Sequence, residues 1–167
     1  MVRSRDSMTT RPQKAAIRPP GLSPEDLLEM YSTMVLVRTL DERIWLMNRQ
    51  GKAAIVASSQ GHEGAQLGAV WAMRQAPSAA YFTYYRDLGM AIALGVTPKE
   101  VLLGFLAKAG ETFSGARQFP LHGARPDLKL FNLSNVVSTQ IPQAEGYALG
   151  CKMSGDPTVT ITSFGDG

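Results

Sequence analysis

The sequence ends in TVTITSFGDG at residues 158–167. Because the first five residues of this run are all β-branched, they predict a strand over 158–162. The strand leads into the turn-forming tripeptide Gly165-Asp166-Gly167. Helical patterns precede it along the chain, and this order favours an α/β fold with a parallel sheet. In such folds ligands bind at the carboxyl ends of the strands, which is where Asp166 would lie.

The tripeptide suits a diphosphate and a metal ion. Glycines allow a phosphate group to approach the backbone, and the Asp166 carboxylate is a hard oxygen ligand of the kind Mg²⁺ prefers. Taken alone the motif is not specific, since Gly-Asp-Gly also forms ordinary turns. A single predicted strand with no following crossover cannot complete a doubly wound sheet. The sequence therefore predicts an α/β domain that is truncated after this turn.

Two upstream segments carry clear helix-start signals. Ser23 and Thr97 are hydroxyl residues followed by proline, and each has an acidic residue three positions later. This pattern predicts capped helices over 24–50 and 98–108. In the first helix Leu27, Tyr31, Met34, Leu40, Ile44 and Met47 recur at helical spacing.

Three further segments have distinct compositions. Residues 63–75 and 142–153 are rich in Gly and Ala. They predict helices whose small residues allow another backbone to approach closely. Residues 110–135 are rich in Gly, Pro, Asn and charge without clear periodicity, so they predict one long ordered loop, and loops of that length are commonly functional.

Composition excludes several classes of function. The chain has 167 residues, 44% of them hydrophobic, which suits one domain, and it has no apolar run long enough to span a membrane. The single cysteine excludes an internal disulfide and a four-cysteine zinc site. Five of the 17 basic side chains lie in residues 1–20 beside one acidic side chain.

This distribution of charge argues against a nucleic-acid surface. Residues 1–20 predict a disordered basic tail, and residues 21–167 predict one incomplete domain. We expect a cytoplasmic protein, or one of the mitochondrial matrix if the tail is a transit peptide.

Four ordered segments precede the Gly-Asp-Gly turn. They are SQGHEGA at 59–65, FTYYRDLG at 82–89, ARQFPLH at 116–122 and STQIPQA at 138–144. Together with the turn they resemble the α-subunit of the thiamine-diphosphate-dependent 2-oxo acid dehydrogenases, over residues 24–167. Within that family, ARQFPLH and TQIPQ are more similar to the branched-chain (2-oxoisovalerate) enzymes than to the pyruvate enzymes. The resemblance implies the N-terminal part of a thiamine-diphosphate-binding fold, so that residues 21–167 are expected to form an incomplete thiamine-diphosphate-binding domain.

The resemblance also implies roles for single residues. Tyr85 and Arg86 match the pair that holds the cofactor diphosphate, which a guanidinium fork and a hydroxyl suit chemically. Asn135 and Val137 match positions that touch the aminopyrimidine. His122 matches an active-site histidine that donates a proton or hydrogen bond to substrate-derived intermediates.

The remaining matches concern metals and the substrate pocket. Asp166 and Gly167 match the diphosphate motif, with Asp166 as a Mg²⁺ ligand. Ser134, Thr139 and Gln140 match a monovalent-cation (K⁺) site, although loop hydrogen bonding is an equally open interpretation. Ile55 falls where relatives often have an aromatic residue in the acyl pocket. His62 and Glu63 are interpreted as architectural.

The implied activity is oxidative decarboxylation of branched-chain 2-oxo acids with acyl transfer to lipoyl groups. The implied partners are a β-subunit in an α₂β₂ heterotetramer and a lipoyl acyltransferase component, with no nucleic acid and no membrane. Three alternatives are open: a pyruvate or acetoin dehydrogenase α-subunit, a truncated chain inactive by itself, and a generic nucleotide-binding module. A second family metal ligand, an Asn, lies beyond residue 167. Residues 1–167 alone are therefore expected to bind neither thiamine diphosphate nor Mg²⁺.

Overall fold

The computed structural model describes residues 21–132 and 135–165. The predicted basic tail, Ser134, Asp166 and Gly167 lie outside this part of the chain. The described helices are α1 Pro24–Arg49, α2 Glu63–Met73, α3 Leu88–Ala93, α4 Pro98–Phe105 and α5 Gln140–Ser154. The described strands are β1 Ser78–Phe82, β2 Gly123–Arg125, β3 Leu130–Asn132 and β4 Thr158–Thr162, with a 3₁₀ turn at Pro126–Leu128.

The four described strands form one sheet in the order β2-β3-β1-β4. Strand β1 runs parallel to both β3 and β4, and β2 runs antiparallel to β3. Phe82 pairs with Phe131 on one side and with Thr162 on the other. The carboxyl ends of β1, β3 and β4 therefore meet at one edge of the sheet.

The side chains of β1 divide the core into two layers. Tyr81 packs into the larger cluster with residues of α1 and α2, including Val37, Ile44 and Leu67, which are at most 1% exposed. Ala80 and Phe82 point to the opposite face, because successive residues of a strand alternate, and pack there with Ala144 of α5. A sheet covered by helices on both faces is the α/β arrangement that the sequence predicted.

The predicted helix starts are confirmed at Pro24 and Pro98. Helices α2 and α4 end two and three residues before their predicted ends, at Met73 and Phe105, and α5 begins two residues early. Strand β4 has the predicted bounds. Tyr31, predicted on the buried face of α1, is 65% exposed, and Val37 is fully buried instead.

The prediction of one long loop over 110–135 is wrong. This segment contains β2, the 3₁₀ turn and β3, which together form the far edge of the sheet. Strands this short lack a measurable period-2 pattern, so their pairing with β1 is not visible locally. Strand β1, of five residues, and helix α3, of six residues, were not predicted either.

The small residues of α5 have open space beside them. No described atom outside the local backbone lies within 4 Å of a Cβ built at Gly146 or Gly150. Within the described chain, the close approach predicted for this stretch is therefore not made at these two glycines, whereas the small residue Ala144 packs closely against Ala80 and Phe82 of β1. No helix of the described residues is both long and apolar enough to cross a membrane.

Candidate functional site

An apolar cavity lies beside the carboxyl edge of the sheet. It has a volume of about 200 Å³ and brings together residues from α1–α2, β1–α3, α4 and the segment before β2. Its lining residues are Ile55, Ala57, Tyr85, Phe105, Phe119, Pro120, His122 and Asn135. Three residues predicted from the sequence, Tyr85, His122 and Asn135, are thus gathered in one place, and Ile55 joins them.

His122 is the buried polar group of this cavity. Its ring is 5% exposed, lies parallel to the Tyr85 ring at 6.2 Å and meets the Phe119 ring edge-on at 5.9 Å. Nδ1 lies 2.9 Å from the Pro120 carbonyl oxygen. A carbonyl can only accept, so Nδ1 must carry a proton in this contact. Nε2 is buried and has no hydrogen-bond partner among the described residues.

An unsatisfied buried nitrogen normally costs free energy, so its presence beside a cavity indicates a ligand-facing group. In the neutral ring Nε2 accepts a hydrogen bond, and in the imidazolium it donates one. The arrangement therefore lets His122 exchange one proton at Nε2 while Nδ1 stays anchored to the backbone.

A second, polar cavity lies on the other side of Tyr85. Its volume is about 530 Å³ and its lining residues are His62, Tyr84, Tyr85, Arg86, Phe164 and Gly165. Tyr85 lines both cavities, so they adjoin. Gly165, directly before Asp166, is part of the lining, which brings the end of β4 to the same place as Arg86.

Arg86 supplies the positive charge of the polar cavity. Its Nη1 donates to the Ser58 carbonyl at 3.1 Å, and the guanidinium carbon lies 5.3 Å from the centre of the Tyr85 ring. These two contacts leave guanidinium N–H groups without a partner among the described residues. A half-buried guanidinium of this kind is a strong donor for carboxylate or phosphate oxygens.

The loop that receives Arg86 is held by a buried carboxylate. Asp41 of α1 is 2% exposed and accepts hydrogen bonds from the Ser58 hydroxyl, the Ser59 backbone and the Gln60 amide, at 2.8–2.9 Å. Because these bonds fix Ser58, its carbonyl is in place for Arg86. Sequence analysis missed Asp41, since nothing local distinguishes it from other helix acids.

His62 and Glu63 differ in their surroundings. Glu63 is buried, pairs with Arg38 at 2.7 Å and accepts from the Gly61 N–H at 2.9 Å. These bonds give Glu63 the architectural role predicted for it, and hydrogen bonding with Arg38 helps to hold the pKa of its carboxyl below the usual value against the opposing effect of burial. His62 lines the polar cavity, with Nδ1 at 3.1 Å from the Tyr84 hydroxyl. Its interpretation as purely architectural did not anticipate this position.

Asp87 is the other buried carboxylate near the site. It is 4% exposed, and burial raises the pKa of its carboxyl to about 6, against hydrogen bonds from Ser163, Tyr84 and Gln66 that lower it. Sequence analysis passed over Asp87, although it directly follows the predicted Tyr85-Arg86 pair.

The remaining predicted site residues are less closely gathered. Val137 is 45% exposed. Gln140 is 3% exposed, and its Nε2 donates to the Ser163 carbonyl at 2.5 Å, so only its Oε1 remains for a cation. Thr139 precedes α5 and makes no side-chain cap. Their assignments to aminopyrimidine and K⁺ stay predictions, and those of Ser134, Asp166 and Gly167 fall outside the described residues.

Among residues 21–132 and 135–165, no three His, Cys, Asp or Glu side chains lie together in a way that could hold a metal ion. Within the described chain, the donors around the polar cavity are suited to an anion instead.

The chain is similar to known proteins over most of its length. Residues 31–167 match the family described as "Dehydrogenase E1 component". The chain is 40% identical over 147 residues to the 2-oxoisovalerate dehydrogenase subunit alpha of Bacillus subtilis, covering 88% of this chain and 44% of that protein. It is 29% and 28% identical to the mitochondrial alpha subunits of Dictyostelium discoideum and Homo sapiens, covering 89% of this chain and 33% of each.

The chain thus spans less than half the length of these relatives. The family match, by contrast, extends over most of the chain and includes α1 from Tyr31 onward, α2–α5, the whole described sheet and both cavities. The chain belongs to the family of dehydrogenase E1 components.

Proposed function

We propose that the protein acts as the α-subunit of a thiamine-diphosphate-dependent dehydrogenase of branched-chain 2-oxo acids. The observation that carries the proposal is the junction of the two cavities at Tyr85. One cavity offers an anion-binding guanidinium, and the other offers an apolar wall with a single proton-exchanging nitrogen. Such a pair suits a cofactor with a charged diphosphate and a reactive ring that meets an aliphatic substrate.

The polar cavity fits the diphosphate. Arg86 has donors to spare, and Tyr85 and His62 stand beside it. The chemistry of this donor set is that of phosphate recognition, because planar guanidinium donors match pairs of phosphate oxygens. Asp166 and Gly167 directly follow Gly165 of the lining, so we assign to them the Mg²⁺–diphosphate contacts that the family resemblance implies. From the same resemblance we assign a K⁺ site to Ser134, Thr139 and Gln140.

When bound, thiamine diphosphate supplies the electron sink for decarboxylation. His122 then holds or moves a proton at Nε2, where a substrate-derived oxygen enters the apolar cavity. The Pro120 carbonyl keeps the ring oriented through Nδ1, and the parallel Tyr85 ring keeps it from tilting. Because His122 is only 5% exposed, bulk water is excluded from the proton that is exchanged.

The apolar cavity supports a short, branched substrate. Its volume of about 200 Å³ and its walls of Ile55, Ala57, Phe105 and Phe119 suit an isopropyl or isobutyl group. The similar proteins from Bacillus subtilis and Homo sapiens are both called 2-oxoisovalerate dehydrogenase subunit alpha. These two arguments favour branched-chain 2-oxo acids over pyruvate or acetoin.

We also propose a β-subunit as the partner in an α₂β₂ assembly, and a lipoyl acyltransferase as the acceptor of the acyl group. Two features support a protein partner: the open space beside Gly146 and Gly150, and the exposure of Leu149 and Met153, 57% and 80%, on the same helix. We place the protein in the cytoplasm, with the mitochondrial matrix as the alternative that the names of the eukaryotic relatives suggest.

The test is a decarboxylation assay of the complete protein with its partner subunit, thiamine diphosphate, Mg²⁺ and an artificial electron acceptor. We expect a higher kcat/KM for 2-oxoisovalerate than for pyruvate, and no turnover by the α-subunit without its partner. A preference for pyruvate would favour the pyruvate-dehydrogenase alternative. No turnover of any 2-oxo acid by the complete assembly would contradict the proposal.

A further inference from the structure

A buried carboxylate that the proposed function does not use lies directly after Arg86. Oδ2 of Asp87 accepts hydrogen bonds from the Tyr84 backbone N–H at 3.0 Å and from the Ser163 hydroxyl. Oδ1 accepts from Nε2 of Gln66 at 3.2 Å. The carboxylate therefore joins three segments that are distant in sequence: helix α2, the loop after β1 and the end of β4. Although it precedes α3, its side chain makes no cap on that helix.

Gln66 holds the same loop from the other side. It is 3% exposed, and its Nε2 also donates to the Arg86 carbonyl at 2.8 Å. Its Oε1 accepts from the Gly89 N–H at 2.9 Å. The peptide groups at Arg86–Asp87 and Leu88–Gly89 are thereby fixed, and the orientation of the Gln66 amide is fixed with them.

Ser163 uses each of its polar groups. Its N–H donates to the Phe82 carbonyl at 3.3 Å, its carbonyl accepts from Gln140, and its hydroxyl donates to Asp87. Since Phe164 and Gly165 follow it and line the polar cavity, this bonding sets the position of one wall. Arg86, whose carbonyl accepts from Gln66, lines the same cavity.

We propose that Asp87 is a positioning residue, which holds the Tyr85-Arg86 loop against Ser163 so that the polar cavity keeps the spacing a diphosphate needs. This inference rests on the proposed function, because it concerns the same cavity. Asp87 itself is buried and lines neither cavity. Its effect passes through the backbone of Arg86 and through the Ser163 hydroxyl.

An amide cannot replace this carboxylate. In Asp87→Asn, the new NH₂ group must face either the Gln66 amide donor or the Tyr84 N–H, and two donors then oppose each other. Rotating Gln66 does not help, because its oxygen would then leave the Gly89 N–H. Ser163→Ala is the milder change, since it removes only the bond to β4.

The experiment measures the Kd for thiamine diphosphate, with Mg²⁺ present, by calorimetry on the complete protein with its partner subunit. We expect Asp87→Asn and Ser163→Ala each to raise the Kd by about tenfold or more. Ser163→Thr, which keeps the hydroxyl, should return the Kd to within about twofold of wild type. The KM for the 2-oxo acid at saturating cofactor should not change in any of them.

Asp156→Asn is the matched control. Asp156 accepts from the Thr158 N–H and hydroxyl at 2.9 and 2.6 Å, the same kind of contact at the opposite end of β4. The Kd of the Asp156→Asn variant for thiamine diphosphate should equal that of wild type.

A Kd for Ser163→Ala within about twofold of wild type, or an equal loss in Asp156→Asn, would overturn the inference. If Asp87→Asn does not fold, the two Ser163 variants decide. A weaker affinity for thiamine diphosphate in Asp87→Asn but not in Ser163→Ala would also overturn the inference, since the bond from Ser163 to Asp87 would then not contribute to cofactor binding. If the wild-type protein binds no thiamine diphosphate, the proposed function itself fails, and this inference with it.

Discussion

The backbone on either side of His122 determines where its ring lies. Leu121 has φ +61°, a conformation that costs a non-glycine residue free energy, and Gly123 has φ +130°. A Cβ built at Gly123 would lie 2.5 Å from the Phe113 carbonyl oxygen. The chain therefore passes close to Phe113 immediately after His122, and only glycine permits this path.

Gly123→Ala is expected to destabilise the fold by about 2 kcal/mol or more and to displace His122, because the clash is with backbone that cannot move aside. Gly104→Ala in α4 is the control, since its new Cβ would make only ordinary contacts at 3.7 Å or more. Urea denaturation of both variants measures the difference. Equal stabilities for the two would show that the chain relaxes around Gly123.

The raised pKa of Asp87 predicts a pH dependence of stability. Its carboxyl has a pKa of about 6 in the folded state against an ordinary value of 3.8, so the folded state binds the proton more tightly. The contribution of Asp87 to stability is then full below about pH 4 and is lost as the pH rises through 6. As the pH falls from about 7 to about 5, the free energy of unfolding should rise by about 1 kcal/mol because of this group.

Urea denaturation at several pH values, compared between wild type and Asp87→Asn, isolates this gain. Asp87→Asn should lack this gain in stability, whereas Asp156→Asn should keep it. The reason is that hydrogen bonds from Thr158 lower the pKa of Asp156, so that Asp156 does not titrate in this pH window. A parallel pH profile in wild type and Asp87→Asn would contradict the prediction.

Residues with a local signature were predictable, and those with distant partners were not. His122 and Tyr85 stood in recognisable motifs, and Asn135 was matched through the family resemblance. The structure gathers these three residues at the apolar cavity, while Arg86 lies in the polar cavity beside it. Gln66 and Asp41 act through partners about 20 residues away, and Ser163 through a partner 76 residues away. Only the fold brings these pairs together, so no window of sequence reveals them.

Helix starts were predictable because their bonds are local. At α4 the Thr97 hydroxyl accepts from the Glu100 N–H at 3.3 Å, and the Glu100 carboxylate accepts from the Thr97 N–H at 2.8 Å. Both partners lie within four residues, so the pattern is readable before folding. Strand β1 is the opposite case, because its pairs with β3 and β4 lie about 50 and 80 residues away.

Thr97→Ala should destabilise the protein by about 0.5–2 kcal/mol, the usual range for the loss of an N-cap hydroxyl. Thr39→Ala is the control: its hydroxyl bonds the Val35 carbonyl inside α1, where alanine is the better helix former. Thermal unfolding should give a lower Tm for Thr97→Ala and an unchanged or higher one for Thr39→Ala. The reverse order would mean that the cap does not stabilise α4.

In the molecule as a whole, the two cavities lie where β1 and β4 end side by side. The parallel register of Phe82 with Thr162 brings the Tyr85-Arg86 loop and the Phe164-Gly165 segment to one edge. In the described chain β4 pairs on one side only, with β1, and Val159 on it is 45% exposed. Both cavities therefore lie beside an edge of the sheet that is unpaired within the described chain.

In the proposed function, Arg86 in the polar cavity holds the diphosphate of the cofactor. Calorimetric titration of thiamine diphosphate into the complete protein with its partner subunit tests this claim directly. Wild type should bind saturably and only with Mg²⁺. Arg86→Ala should weaken binding by about 1.5–3 kcal/mol, roughly 10- to 150-fold, with little change in Tm without cofactor.

Arg117→Ala serves as the control in the same titration. Arg117 also donates to one backbone carbonyl, that of Ser114, but lines neither cavity. Its affinity for thiamine diphosphate should equal that of wild type. Wild-type affinity in Arg86→Ala, or the same loss in both variants, would contradict the account.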